Sequence, residues 1–316
     1  MICNDRVLKG MVYNFGSINI DYVYRVPHLV KPGETLASES FQQVLGGKGA
    51  NQSLALARAG GSVTHWGRLG RADRWALAPL EQAGVNIDAI ELIEDASGHA
   101  LIQVDDAAEN AIILYPGANH GFTEAKLEAL TESAEPSGWL LMQNECNATE
   151  SVICLAAARG LSIAFNPAPL DAKVASLPLS LCNLLFLNRG EAAALAECDP
   201  KCDADALLDI LAERYPDAEL VLTLGADGVR YQRGDHRLSL PAHRVDAIDT
   251  TAAGDTFIGY FMAARQRGDD NERALRLAST ASALCVQTAG AAPSIPVAKD
   301  VEAALVRLPE LQITRP

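Results

Sequence analysis

The stretch Asp249–Phe257, DTTAAGDTF, puts one carboxylate, Asp255, directly behind three residues with almost no side chain, Ala252, Ala253 and Gly254. Residues this small leave backbone N–H groups uncovered. The run that follows, GDTFIGYFMAARQR, carries Phe257, Tyr260, Phe261 and Ala264 at helical spacing, so the small residues fall at a helix start. Free N–H groups and the positive end of the helix dipole favour an anion there, and small side chains let a phosphate come close. Asp255, in the first turn, then sits beside the anion, where a general base would contribute roughly 10²- to 10⁴-fold in rate. The plainer alternative is a helix-start carboxylate worth about 0.3 to 1 kcal/mol of helix stability.

Other stretches offer polar groups at useful spacing. LGGKGANQ, Leu45–Gln52, is not a Walker A loop, because Lys48 is followed by Gly49; nor is it a dinucleotide fingerprint, because Gln52 stands where a third glycine belongs. What remains is a glycine turn at Gly47 and Lys48, with Asn51 one turn into an Ala-rich helix. That suits either presentation of backbone and amide groups to hydroxyls or a tight structural turn. GSINID, Gly16–Asp21, ends an apolar strand with Asn19 and Asp21 two apart and so on one face. A carboxylate and an amide on one face match vicinal hydroxyls, and equally a solvated strand end. In NRGE, Asn188 and Glu191 are three apart, which fits a capping arrangement or a hold on magnesium waters near a phosphate. The six histidines form no H-E-x-x-H pairing and there is no G-x-S-x-G elbow. Direct positioning of a phosphate is the chemistry left.

Several apolar runs must carry these groups. From Trp139 the chain alternates WLLMQNE, LSIAFNP, LLFLN and LVLTLG with helix-like stretches, the punctuation of βαβ units in a mostly parallel sheet with helices on both faces. Polar residues sit at the carboxyl ends of these runs: Asn144 and Glu145, Asn166, Asn188, and Thr223 with Gly225. Ligands of open α/β sheets bind outside those ends, so one crevice is expected. Before Trp139, ESFQQVL reads as a strand and HALIQVDDAAENAIILYPG as a hairpin, while GANQSLALARAGG reads as a helix closed by Gly60 and Gly61. The expected organisation is a core of residues 11–18, 46–96 and 119–316, a discontinuous β lid of residues 19–45 and 97–118, and an extension, residues 1–10, outside the fold. HRVDAID reads as β-like, and the tail as a final helix and a frayed end.

With 49% hydrophobic and 21% charged residues, the composition is that of a globular protein. A formal net charge of −14 repels nucleic acid and anionic membrane faces, so no nucleic-acid or membrane partner is expected. Seven scattered cysteines without a C-x-x-C pair, and the absence of a signal-like start, point to a reducing cytoplasm.

Taken in order, GSINID, GGKGANQ, PGAN, LLMQNE, NPAP, LNRGE, TLGADG and DTTAAGDTF resemble the ribokinase branch of the PfkB carbohydrate kinase family, from about Val12 to Pro296. The resemblance implies a ribokinase-like α/β core with a β lid that serves as a homodimer clasp. It implies transfer of the ATP γ-phosphoryl group to a primary hydroxyl of a sugar, D-ribose before deoxyribose, a ketohexose, a keto-deoxy sugar acid or a nucleoside; a catalytically silent sugar sensor is the rival from another class. In that picture Asp255 takes the proton while the N–H groups of Ala252, Ala253 and Gly254 neutralise phosphate charge. Asn19, Asp21, Gly47, Lys48, Asn51 and Glu145 match the sugar positions. Asn188 and Glu191 match the Mg²⁺ and phosphate motif, Thr223 and Gly225 the nucleotide loop. Asp249, Thr251, Cys285, Thr288, Gly290 and Ser294 match a K⁺ site built largely of carbonyls. GRADRWA departs from the family's G-x-D-x-x-G, with Asp73 one place late, which is expected to alter a helix start near the sugar crevice.

Overall fold

A computed structural model of the chain describes residues 10–107 and 109–315. The expected extension therefore lies outside the described residues except for Gly10. In chain order the first half contains β1 (Val12–Phe15), β2 (Asn19–Arg25), β3 (Ser40–Gly46), α1 (Lys48–Arg58), β4 (Val63–Trp66) and β5 (Arg68–Gly70). It continues through α2 (Ala78–Ala83), β6 (Glu91–Ile93), β7 (Gly98–Val104), β8 (Asn110–Tyr115) and α3 (Glu124–Ser133). The second half runs β9 (Trp139–Gln143), α4 (Thr149–Arg159), β10 (Ser162–Asn166), β11 (Leu184–Asn188), α5 (Arg189–Ala196), α6 (Ala204–Arg214) and β12 (Glu219–Thr223). Last come β13 (Val229–Arg233), β14 (His236–Leu240), α7 (Ala253–Arg267), α8 (Asn271–Cys285) and α9 (Ala298–Arg307).

Eight strands form the central sheet in the order β14-β13-β12-β11-β10-β9-β1-β4, parallel from β12 to β4 and antiparallel at the β13 and β14 edge. The parallel strands are short apolar runs because both faces are covered. Leu140 and Met142 of β9 join one buried layer with α3, α4, α5 and α6, while Leu141 joins the other with α1, α7 and α8. The register places Gln143 beside Asn166 and Asn188 beside Thr223, so the polar residues at the strand ends stand in a row.

A separate four-stranded sheet, β3-β2-β7-β8, stands over that row, with β2 and β7 parallel. Pairing of Asn19 with Gly98 and Asp21 with Ala100 fixes its base. The strand carrying Asn19 and Asp21 is not the end of the apolar core strand: β1 stops at Phe15, and Asn19 opens β2. Their shared face survives that correction. Two further expectations change. HRVDAID forms no strand, and residues 241–250 run without regular structure. The tail is not frayed at Thr314, which pairs with Ser239 beside β14. Among the described residues no helix is long and apolar enough to cross a membrane.

Candidate active site

α7 owes its start to Ala252, whose backbone adopts φ 59°, a left-handed conformation uncommon outside glycine. Its carbonyl accepts from Thr256 at 2.8 Å, while Ala253 donates to Thr250 at 3.3 Å. The N–H groups of Ala252, Gly254 and Asp255 have no partner among the described residues. The free donors differ from the expected set in one member, Asp255 in place of Ala253, because Ala253 is already engaged.

Asp255 is buried at 6% exposure, yet each carboxylate oxygen is met. Asn51 donates to Oδ2 at 3.1 Å and Gln52 to Oδ1 at 2.9 Å. Both donors come from the first five residues of α1, whose start lies against Gly16 and Ser17. A Cβ on Gly49 would stand 2.4 Å from the Gly16 carbonyl carbon, so only glycine permits this approach. Gly47, at φ +90°, turns the chain into the helix where an L side chain would be strained.

Charges converge around this point. Asp255 above all raises the Lys48 ammonium pKa, against the opposing effect of burial and with help from Glu145 and Glu191. The Lys48 backbone N–H donates to Glu145 Oε2 at 2.9 Å, and Ser17 Oγ donates to the same oxygen. Burial raises the Glu145 carboxyl in spite of these bonds. Asp21 is pushed to about 7 by burial and then by the charge of Glu145. Asn19 is fixed from behind by Asn119, whose Nδ2 donates to Asn19 Oδ1 at 2.7 Å.

Asn188 and Glu191 form a complete capping box: Asn188 Oδ1 accepts from the Glu191 N–H at 2.9 Å, and both Glu191 oxygens accept from Asn188 at 2.8 Å. Two cavities open here. The larger, about 410 Å³, gathers the polar groups of Asn19, Asp21, Lys48, Asn51, Glu145, Asn188, Glu191 and Asp255 with the backbone of Gly47 and Gly254, and is closed by the apolar side chains of Ala100, Ile102, Ile112 and Leu114 of the small sheet. The smaller, about 300 Å³, is mainly apolar, with Gly225, Val245, Ala253, Phe257 and Val286 on its walls. They meet at Thr223, Thr250 and Gly254, the residue before Asp255.

The six residues matched to a K⁺ site gather behind α7 rather than in the cavity, Thr251 excepted. Asp249 accepts from Thr251 and Gly290 N–H groups, both at 2.8 Å. Cys285 Sγ lies 3.1 Å from Ser294 Oγ and 3.7 Å from the Thr251 carbonyl, and Thr288 donates to the Cys285 carbonyl at 3.1 Å. Three loops converge on carbonyls and hydroxyls, while no group of three or more His, Cys, Asp or Glu is placed to hold a metal among the described residues.

At GRADRWA the helix start takes a definite form. Residues Arg71–Leu77 wind as a 3₁₀ helix, and Asp73 lies outside the cavity, accepting from Ser97 Oγ at 2.6 Å at the base of the small sheet. Sequence reasoning passed over Ser17, Gln52, Asn119 and Gln143 as functional groups. All four lie inside quoted motifs, GSINID, GGKGANQ, PGAN and LLMQNE, but nothing in their spacing marks which of them are turned toward the site. No sequence signal marks Val245 or Val286.

A carboxylate at an uncovered helix start, where a polar cavity meets an apolar one at the carboxyl ends of a parallel sheet, defines a phosphotransferase acting on a small hydroxylated acceptor. The comparisons narrow that class. The chain belongs to the pfkB family of carbohydrate kinases, whose family model matches residues 9–298. Ribokinase of Haemophilus influenzae is 35% identical over 291 residues, covering 90% of this chain and 95% of the relative. The ribokinase structure from Cryptococcus neoformans in complex with ADP is 31% identical with TM-score 0.78, covering 93% of this chain and 99% of that one. Arabidopsis thaliana ribokinase complexed with ribose and ATP is 26% identical with TM-score 0.82, covering 94% and 99%. The protein is an ATP-dependent carbohydrate kinase.

Proposed function

We propose that the chain transfers the γ-phosphoryl group of ATP to the 5-hydroxyl of D-ribose, in the cytoplasm, as a homodimer joined through the small sheet. The observation that carries the reading is the Asp255 carboxylate, held by two amides at the junction of the two cavities. The sugar occupies the polar cavity and the nucleotide base the apolar one. Asn19, Asp21, Lys48 and Glu145 then hold the sugar hydroxyls, and Asn51 Oδ1, buried without a partner, accepts from one of them. Asp255 takes the proton of the attacking hydroxyl, and the N–H groups of Ala252, Gly254 and Asp255 take up charge on the migrating phosphoryl group. Nothing covalent to the protein is required.

Magnesium supplies charge neutralisation at the phosphates when bound. Asn188 and Glu191 fit it through water, because the capping box already occupies both Glu191 oxygens while leaving a buried carboxylate at the cavity wall. The loops of Thr251, Thr288, Gly290 and Ser294 fit a potassium ion, a weakly hydrated cation held by carbonyl and hydroxyl oxygen. Asp249 supports them: burial opposes its charge, yet its bonds to Thr251 and Gly290 keep its carboxyl below the usual range.

A coupled ADP-release assay over pentoses, hexoses, a keto-deoxy sugar acid and nucleosides, run in K⁺ and in Na⁺, tests the reading. D-Ribose is expected to give the highest kcat/KM, and Asp255→Asn to lower kcat at least about 10²-fold. The apolar wall of Ala100 and Ile102 makes 2-deoxyribose the sharpest competitor. No turnover on any acceptor would transfer the protein to the sensor class.

A further inference from the structure

Asp255 does not fix its own orientation. Its two amide donors, Asn51 and Gln52, are neighbours on α1 but differ in position: Asn51 lines the polar cavity, whereas Gln52 does not and is 0% exposed. Gln52 therefore cannot touch a bound sugar. It touches a line of buried polar side chains drawn from three other elements. Gln143 Nε2, at the end of β9, donates to Gln52 Oε1 at 2.7 Å and to Asn14 Oδ1 at 3.0 Å. Asn14 Nδ2, in β1, donates to Ser53 Oγ at 2.7 Å and to the Gly49 carbonyl at 2.8 Å. Ser53 Oγ meets His65 Nδ1 at 2.8 Å, and His65 Nε2, in β4, faces the Gly16 carbonyl at 3.2 Å.

The direction of every bond in this line follows from its far end. A carbonyl only accepts, so His65 carries its proton on Nε2. Burial holds the His65 pKa down to about 4, so the ring is neutral at working pH and Nδ1 accepts from Ser53. Ser53 then receives Asn14, and Asn14 turns its oxygen to Gln143. Gln143 spends both of its amide hydrogens, one on Asn14 and one on Gln52. With its oxygen taken as acceptor, Gln52 has only N–H to offer Asp255. A flipped Gln52 would set oxygen against the carboxylate and NH₂ against NH₂.

We infer that Gln52, locked by Gln143 and Asn14, is a positioning residue for phosphoryl transfer, holding the Asp255 carboxylate in the orientation that faces the acceptor cavity. The inference rests on the reading of Asp255 as the base. Gln52→Leu removes the donor, and Gln52→Asn keeps the amide one methylene short of the span from Gln143 to Asp255. Both are expected to lower kcat about ten- to hundred-fold while leaving the acceptor KM within about twofold, since misplacement of a catalytic group by about an ångström costs rate rather than binding. Gln143→Leu is expected to show the same split in weaker form.

A merely structural role is separated by a double-mutant cycle. In an Asp255→Asn background Gln52→Leu should change the residual rate by less than about threefold, because a residue that acts through Asp255 has nothing left to hold. A cost that multiplies in full onto Asp255→Asn overturns the inference. So does kcat within about twofold of wild type in both Gln52 variants while Asp255→Asn abolishes turnover, a result that leaves the base reading intact. If Asp255→Asn itself retains full turnover, the base reading falls and the inference falls with it. Should Gln52→Leu fail to fold, Gln52→Asn answers the same question.

Discussion

Asp21 stands where a carboxylate is costly: burial, and after it the negative charge of Glu145, move it from an ordinary 3.8 to about 7. Between those values the folded chain binds a proton that the unfolded chain has released, so this group's contribution to stability falls as pH rises through the window. Sugar binding runs the other way. Vicinal hydroxyls donate to an ionised carboxylate, so acceptor KM is expected to fall as pH rises through about 7, with proton release on binding below that point. Calorimetry near neutral pH in two buffers of different ionisation enthalpy reads that proton directly, and Asp21→Asn should erase both the release and the slope. A flat KM in the wild type removes Asp21 from sugar binding. The sequence made Asp21 visible as a partner of Asn19 on one face. It did not reveal the titration, which depends on Glu145 arriving just past the end of β9 and on the cover over the cavity face of the small sheet where Asp21 stands.

At the level of elements, the start of α7 makes a prediction of its own. Gly254 has helical backbone, and a Cβ built there meets no atom within 4 Å, yet the residue lines both cavities. Gly254→Ala should therefore hold or raise the stability, by up to about 1 kcal/mol from reduced unfolded-state entropy, while the methyl group obstructs the phosphoryl path. An expected fall in kcat/KM for ATP of at least about tenfold without loss of stability is the signature, and unchanged kinetics would show that no phosphate passes that point. This helix was legible because Phe257, Tyr260, Phe261 and Ala264 repeat at helical spacing, and β9 because WLLMQ is apolar on both faces. The loop before α7 was misread. HRVDAID alternates as a strand would, but residues 241–250 carry the chain past the apolar cavity instead of pairing, with Ala242, His243, Val245 and Ala247 turned toward it. The parallel pairing of β2 with β7, separated by more than seventy residues, left no local pattern to read. Nor did the amide line behind Asp255, whose direction is set by the Gly49 and Gly16 carbonyls that only the fold brings to it.

The molecule as a whole leaves its small sheet with an open edge. On β8, Ile112, Ile113, Leu114 and Tyr115 are 50%, 64%, 57% and 51% exposed, and Leu101 of the neighbouring β7 adds to the patch. Because neighbours on a strand point to opposite faces, both faces of the edge are apolar. Ile112 and Leu114 look into the polar cavity; Ile113 and Tyr115 do not. Four consecutive exposed apolar residues on an edge strand are a liability unless something covers them, and a second copy of the same sheet is the occupant that the proposed dimer supplies. Charge opposes that contact, since 26 basic against 40 acidic residues leave each copy at −14. Apolar burial must overcome the repulsion, so association should tighten as salt screens it, the reverse of an interface held by ion pairs. Sedimentation at micromolar concentration is expected to give a dimer that strengthens with added salt. The pair Ile112→Lys and Ile113→Lys, which places charge on both faces of the edge, should give a folded monomer. A wild-type monomer at every salt concentration would leave the edge without its partner and remove the clasp from the account.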